Sequence, residues 1–297
     1  MKFGVREICD VVFKAKADTR IGSRVFKKGQ PVLFIDSAKT STIEGAATTV
    51  YAQGGKGNAR LIAWEGEKTL TFTVEDALLS PIGFSVLSGA GLIKGKEEDN
   101  KLVHVHKTAT AYADVNGKID LTDILSDEEA ICEDAEIFVM PFIDGELGEA
   151  ATAKPVVIDG RILSGSSVKD TTVFVDFYIT KNSAKVSELQ IDAANFAGYY
   201  YVEASTLFRR QSDGKDLPAE ITLPNVKIQS NFTFSMAPTG DPSTFTFTMD
   251  AFPGYTVFDN TKKVLCVMQV VEEPIDGKEE VKSVMNNHTE AAKEEEN

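Results

Sequence analysis

The 297-residue sequence predicts a mainly β protein: a sandwich or barrel of two packed antiparallel sheets, one to three short helices, and an inserted β-rich subdomain. Three observations carry this. Apolar residues recur with a period of two in several stretches, which puts them on one face of a strand. The opposite faces are rich in Thr, a β-branched residue suited to a pleated, half-exposed surface. Gly, Pro, Asn and Asp punctuate these runs, whereas the helical period is scarce.

From the N-terminus, strands are expected at 10–17, 32–35 and 59–64. Between them, 37–58 is built of Ser, Thr, Ala and Gly with few large apolar residues. So long a connection reads either as a surface loop or as an arm that orders against a partner. Leu70, Phe72 and Val74 alternate with Thr69, Thr71 and Thr73 as a strand. A helix can begin at 74–79, where Pro81 and Gly83 cut it short or restart it. A hairpin over 109–121 turns at Asn116-Gly117, a pair suited to a type I′ turn. Val173, Val175, Phe177 and Ile179 share one face, with Asp176 opposite. The run 187–196 offers a second helix, ending at Gly198. A strand follows at 199–208. The clearest hairpin joins 226–236 to 244–249 around Pro238-Thr239-Gly240-Asp241-Pro242, and a last strand covers 264–271.

A charged break at 95–101 and a soft stretch at 144–154 set off 95–170 as the inserted subdomain. Residues 1–94 and 171–271 then form one discontinuous β domain. The acidic tail, 272–297, is of a composition that stays solvated when alone.

Thirty-one basic residues against 45 acidic ones give a net charge of −14. Tight nucleic-acid binding needs clustered cations, so this balance argues against it. No apolar run approaches the ~20 residues of a membrane helix, and the first residues carry no apolar signal core. Cys9, Cys132 and Cys266 are odd in number and far apart, which fits neither a disulfide framework nor a zinc site. They read as small buried residues of a protein made in a reducing compartment.

Fragments that resemble chemical motifs fail on spacing. Gly54-Gly55-Lys56-Gly57 lacks the Ser or Thr and the glycine spacing of a phosphate loop. Gly89-Ala90-Gly91-Leu92-Ile93-Lys94 has Lys94 where a dinucleotide fingerprint needs its third glycine. Asp114 to Asp120 places its glycine too early for a calcium loop. His104 and His106 would share a strand face, but two histidines make an incomplete metal site. No Gly-x-Ser-x-Gly elbow accompanies His104, His106 or His288. Arg209-Arg210 closes a strand, either solvated or pairing with acids across an interface. No catalytic, cofactor-binding or metal residue is assigned, and no cofactor is implied.

The runs at 61–72 (LIAWEGEKTLTF), 201–215 (YVEASTLFRRQSDGK), 225–230 (NVKIQS) and 240–250 (GDPSTFTFTMD) together resemble the major tail tube proteins of tailed bacteriophages that infect Gram-positive hosts. The resemblance covers chiefly 1–92 and 170–271. It implies a tail-tube-like β-sandwich or barrel and a structural, non-enzymatic virion protein, made in the host cytoplasm and resident in the tail. Homo-hexameric rings would stack into a tube for genome delivery, with a sheath, tape measure, tail terminator and baseplate proteins as further partners and no membrane. In that family a long arm between two early strands contacts the neighbouring ring, and 37–58 falls in the corresponding place. DNA would pass through the lumen without tight binding, since an acidic wall repels phosphate. Asp176 and Glu203 are the candidate lumen acids. The alternative is a carbohydrate- or host-surface-binding β-sandwich module of a virion. Tyr199-Tyr200-Tyr201 is its one visible aromatic group, which a strand entering the core also explains.

Overall fold

The period-two residues become the buried faces of antiparallel sheets in a computed structural model, which describes residues 2–5, 7–21, 24–93, 95, 101–191, 193–233 and 244–272. The turn at 238–242 and the tail beyond Glu272 lie outside the described residues. Two compact units emerge: Met1–Gly91 with Ile191–Asn297, and Leu92–Gln190.

The chain opens with β1 (Phe3–Val5), β2 (Asp10–Ala15), β3 (Thr19–Ile21), β4 (Arg24–Phe26), β5 (Pro31–Ile35), β6 (Ala38–Gly54), β7 (Ala59–Asp76) and the one helix among the described residues, α1 (Pro81–Ser88). β8 (Gly91–Ile93) leads into the second unit. There follow β9 (Leu102–Ala113), β10 (Ile119–Asp120), β11 (Ala130–Ile131), β12 (Phe138–Ile143), β13 (Glu146–Leu147), β14 (Val156–Ile158), β15 (Ile162–Ser164), β16 (Thr171–Asn182) and β17 (Glu188–Gln190). The first unit resumes with β18 (Tyr199–Arg210), β19 (Asp216–Ile228), β20 (Phe245–Ala251) and β21 (Val267–Val270).

In the first unit a nine-stranded sheet runs β5-β2-β18-β19-β20-β7-β6, with β1 on β18 and β21 on β19. Its buried face carries Val11, Phe13, Phe72, Val74, Val202, Ala204, Leu223, Phe247 and Met249. Phe13 meets Tyr200 edge-on at 6.0 Å and Phe247 at 5.9 Å between ring centres. Burying such rings supplies much of the driving force for closing the unit. The expected 226–236/244–249 hairpin pairs in the ladder Val226↔Ala251, Lys227↔Asp250, Ile228↔Met249. β19 stops at Ile228, however, and residues 229–233 are not strand.

Helix α1 differs from the sequence expectation. Strand β7 runs to Asp76, through the start of the stretch read as helix, and of the two roles open to Pro81, cutting a helix short or restarting one, it takes the second. The Gly83 N–H donates to Ser80 Oγ at 2.9 Å, and Pro81 occupies a first-turn position where no N–H is needed. Gly89 ends the helix at φ +74°. The second expected helix, 187–196, is absent: β17 pairs with β8. Ile191 and Phe196 are exposed, so a helix there would have buried no apolar face.

The second unit holds an eight-stranded sheet, β13-β12-β16-β9-β10-β15-β14 with β11 on β16. Val173, Val175, Phe177 and Ile179 are fully buried against Ala113, Ile119, Leu121, Val139 and Leu163. β16 pairs with β9 along its whole length, from Thr171↔Ala113 to Asn182↔Leu102. That ladder puts β16 with the inserted unit, so the division falls near Gln190 where the sequence suggests 170. The hairpin after β9 is not a type I′ turn, because only Gly117, at φ +75°, takes a positive angle. Asp114 Oδ1 instead accepts from the N–H groups of Asn116 and Lys118, each at 2.8 Å.

The acid-rich stretch 127–136 contains one buried anion. The Glu129 carboxylate accepts from Lys107 Nζ and Lys181 Nζ, both at 2.7 Å, and from the Ser126 N–H at 3.1 Å. The two ammonium groups hold its carboxyl at about 2. Cys9 and Cys132 are buried as expected, but Cys266 is only half-buried.

Candidate assembly surfaces

Residues 37–58 are not an unstructured connection. β6 pairs with β7 from Ala38↔Asp76 to Gly54↔Ala59, forming one long hairpin. The density of Thr40, Thr42, Ile43, Thr48, Thr49, Val50 and Tyr51 favours strand. The tip, Gly54 to Asn58, turns with Gly55, Gly57 and Asn58 at φ +79°, +87° and +49°. The fragment resembling a phosphate loop is therefore the hairpin turn.

From Glu44 to Thr69 nearly every residue is exposed. Both faces of the ribbon are open, so it stands away from the sheet by about 30 Å, at ~3.3 Å per residue. A bulge separates Ala47↔Lys68 from Thr49↔Glu65. Thr48 Oγ1 accepts there from the Glu67 N–H at 2.9 Å, and a Cβ on Gly66 would come within 2.4 Å of the same oxygen. This close approach sets the ribbon's local bend.

Val50 lies opposite Trp64, and Ala52 opposite Ile62, so these four share one face. Val50 is 62% exposed, Ile62 55% and Trp64 52%. On the other face the Arg60 guanidinium sits 4.1 Å above the Tyr51 ring. Between Gly45 and Trp64 the only charged residues are Lys56 and Arg60, in a chain of net charge −14. An apolar stripe on a ribbon with two wet faces is stable in water only at a cost, which makes it a candidate contact surface.

A second surface lies on the outer face of β18, β19 and β21. There, Tyr201, Glu220, Phe258, Asp259, Lys262 and Val264 are among the residues lining a groove of about 550 Å³. Its wall is the loop between β20 and β21. The Gly254↔Val264 bridge closes that loop. Asp259 Oδ1 accepts from the Thr261 N–H at 2.8 Å, and Thr256 Oγ1 accepts from the Asp259 N–H at 3.0 Å. Phe258 stands fully exposed on the rim.

The residues singled out by sequence are mostly engaged within the chain. His104 and His106 share the outer face of β9, and His106 Nε2 lies 2.8 Å from Asp176 Oδ1. Glu203 is ion-paired with Lys14. Both candidate lumen acids are thus already matched by a partner. Arg209 pairs with Asp216 through two bonds of 2.7 Å, and Arg210 pairs with Asp213. Tyr200 is buried, which pushes its phenol up to about 12, while Tyr199 is exposed. The tyrosine triplet is strand alternation. Among the described residues no group of three or more His, Cys, Asp or Glu could hold a metal ion, and no helix is long and apolar enough to cross a membrane.

The Val50, Ile62 and Trp64 stripe does not show in the sequence, where 37–58 reads as a loop or arm and 59–64 as a separate strand. One signal was available. With 69–74 it makes a single strand of 18 residues, longer than a domain body needs. No curated protein matches the chain. Residues 4–264 match the model of the YomU/Tube protein family.

Proposed function

The chain belongs to the YomU/Tube protein family, a family of phage tube proteins, and from that membership we propose that it is a tail tube subunit whose hexameric rings stack into the channel for genome delivery. The observation that carries this reading is the projecting β6–β7 hairpin, with its apolar stripe turned to water. A subunit that works alone gains nothing from such a surface; one that assembles covers it. The sheet order supports the same reading, since β5 and β6 end the nine-stranded sheet with free edges among the described residues. Unpaired edges favour pairing with another chain. Six-fold symmetry, the virion tail as the place of residence, a Gram-positive host, and contacts with sheath, tape measure, terminator or baseplate belong to the same proposal. In the assembled tube the net negative charge would keep phosphate from sticking to the protein.

The test compares the full chain with a variant in which an Asn-Gly turn replaces 46–69, joining the paired residues Gly45 and Leu70. The full chain should form six-fold rings or tubes in negative-stain microscopy, alone or nucleated by tail tips. The shortened chain should keep its circular dichroism and melting curve and form none. Only monomers from the full chain under every condition would overturn the proposal; tubes from the shortened one would show that assembly does not run through the hairpin.

A further inference from the structure

The hairpin tip and the groove on β18, β19 and β21 complement each other. Glu220, on the groove's floor, has no cation partner among the described residues. Lys14, outside the groove, is taken by Glu203, and Lys262, the one cation in its lining, lies beside Asp259, so neither answers Glu220. Partial burial and the nearby Glu203 push the Glu220 carboxyl up, the signature of an anion short of a counter-charge. Apolar surface borders it, with Phe258 fully exposed and Val264 and Val267 beneath. The hydrogen bonds of the 254–264 loop hold this wall in place before anything binds.

The tip has the opposite character. Among the described residues Lys56 has no acidic partner, and the Arg60 guanidinium rests on the Tyr51 ring. Leu61 and Ile62 stand beside them, both more than half exposed. Each copy carries one tip and one groove, on different surfaces. Joining unlike surfaces gives a contact that repeats from copy to copy without using itself up.

We propose that the β6–β7 tip of one copy seats in this groove of a second copy, bringing Lys56 and Arg60 to Glu220 and laying Leu61 and Ile62 against the Phe258 rim. The inference rests on the reading of the chain as a tube subunit and specifies which two surfaces meet. Because the cations and Glu220 are partly solvated, the contact weakens as salt rises from about 0.05 to 0.5 M.

Charge reversal tests it. Lys56→Glu with Arg60→Glu should raise the concentration needed for assembly, read by light scattering, by about tenfold or more, since repulsion replaces attraction. Glu220→Lys should do the same, and the three changes together should recover most of the loss. Glu220→Gln, with a smaller effect, serves if Glu220→Lys fails to fold. If the reversals leave assembly unchanged while the hairpin truncation abolishes it, the tip docks elsewhere: this inference falls and the tube reading stands. Loss in each reversal without recovery in the combination also overturns it. If the truncation leaves assembly intact, the tip makes no needed contact: this inference falls and the tube reading stands, whereas a full chain that never assembles defeats the tube reading itself.

Discussion

Replacing Val50, Ile62 and Trp64 together by serine should leave the subunit folded and raise the concentration needed for assembly by about two to three orders of magnitude. Burying a large apolar side chain completely is worth ~1.5–3 kcal/mol. In the free subunit these three are 62%, 55% and 52% exposed, so roughly half of that gain is still available to a partner. Three residues at about 1–1.5 kcal/mol each give about 3–4 kcal/mol per hairpin, or ~100- to 1,000-fold in association. The sequence supplies its own probe, because Trp64 is the only tryptophan. In the unmodified chain its emission should move to shorter wavelength on assembly, as the indole leaves water. The triple variant is followed by light scattering and sedimentation. Assembly of the variant at the unmodified concentration, or an unchanged Trp64 emission in assembled tubes, would show that the stripe still faces water there. A lower melting temperature of the variant subunit would show that the stripe packs within its own chain.

Two further outcomes concern the units themselves. Glu129→Gln should lower the melting transition of the second unit at neutral pH by the equivalent of about 1–2 kcal/mol, less than a fully buried pair because water reaches both lysines. The folded carboxyl is held at about 2 against an ordinary 4.5, so this stabilisation is complete above pH 4.5 and fades as pH falls towards 2. Calorimetry across that window should find the unmodified chain losing stability more steeply than Glu129→Gln; parallel curves would rule out the charged network. Gly89→Ala should cost about 2 kcal/mol or more, since φ is +74° and the new Cβ would lie 2.3 Å from the Phe196 carbonyl carbon. Gly55→Ala, at φ +79° but in open space, should cost about half as much. Equal losses would deny the close approach at Gly89.

The features legible in the sequence were those fixed locally. Val173, Val175, Phe177 and Ile179 announce a buried face because alternation along one strand needs no knowledge of its neighbours. The β6 ribbon broke that logic: a strand buried on neither face shows no apolar alternation, and 37–58 imitates a loop. Pro81 was ambiguous for a related reason. The residue that interrupts a helix also opens one when Ser80 stands before it. For 187–196 the helical spacing was present, but Ile191 and Phe196 found nothing to pack on. The candidate surfaces lay furthest from view. Lys14 and Glu203 are 189 positions apart, and only the β2–β18 ladder brings them together. Nothing in either segment reveals that Glu203 is matched and Glu220 is not.

β8 and β17 carry the chain into and out of the second unit, and they pair with each other. An insertion whose two ends meet enters and leaves at one place, and no strand between them belongs to the nine-stranded sheet. Whatever lies between the seam strands can lengthen, shrink or be exchanged without altering the register of the nine-stranded sheet. The seam is therefore a graft point: a foreign domain with adjacent termini, spliced between β8 and β17, should leave the nine-stranded sheet folded.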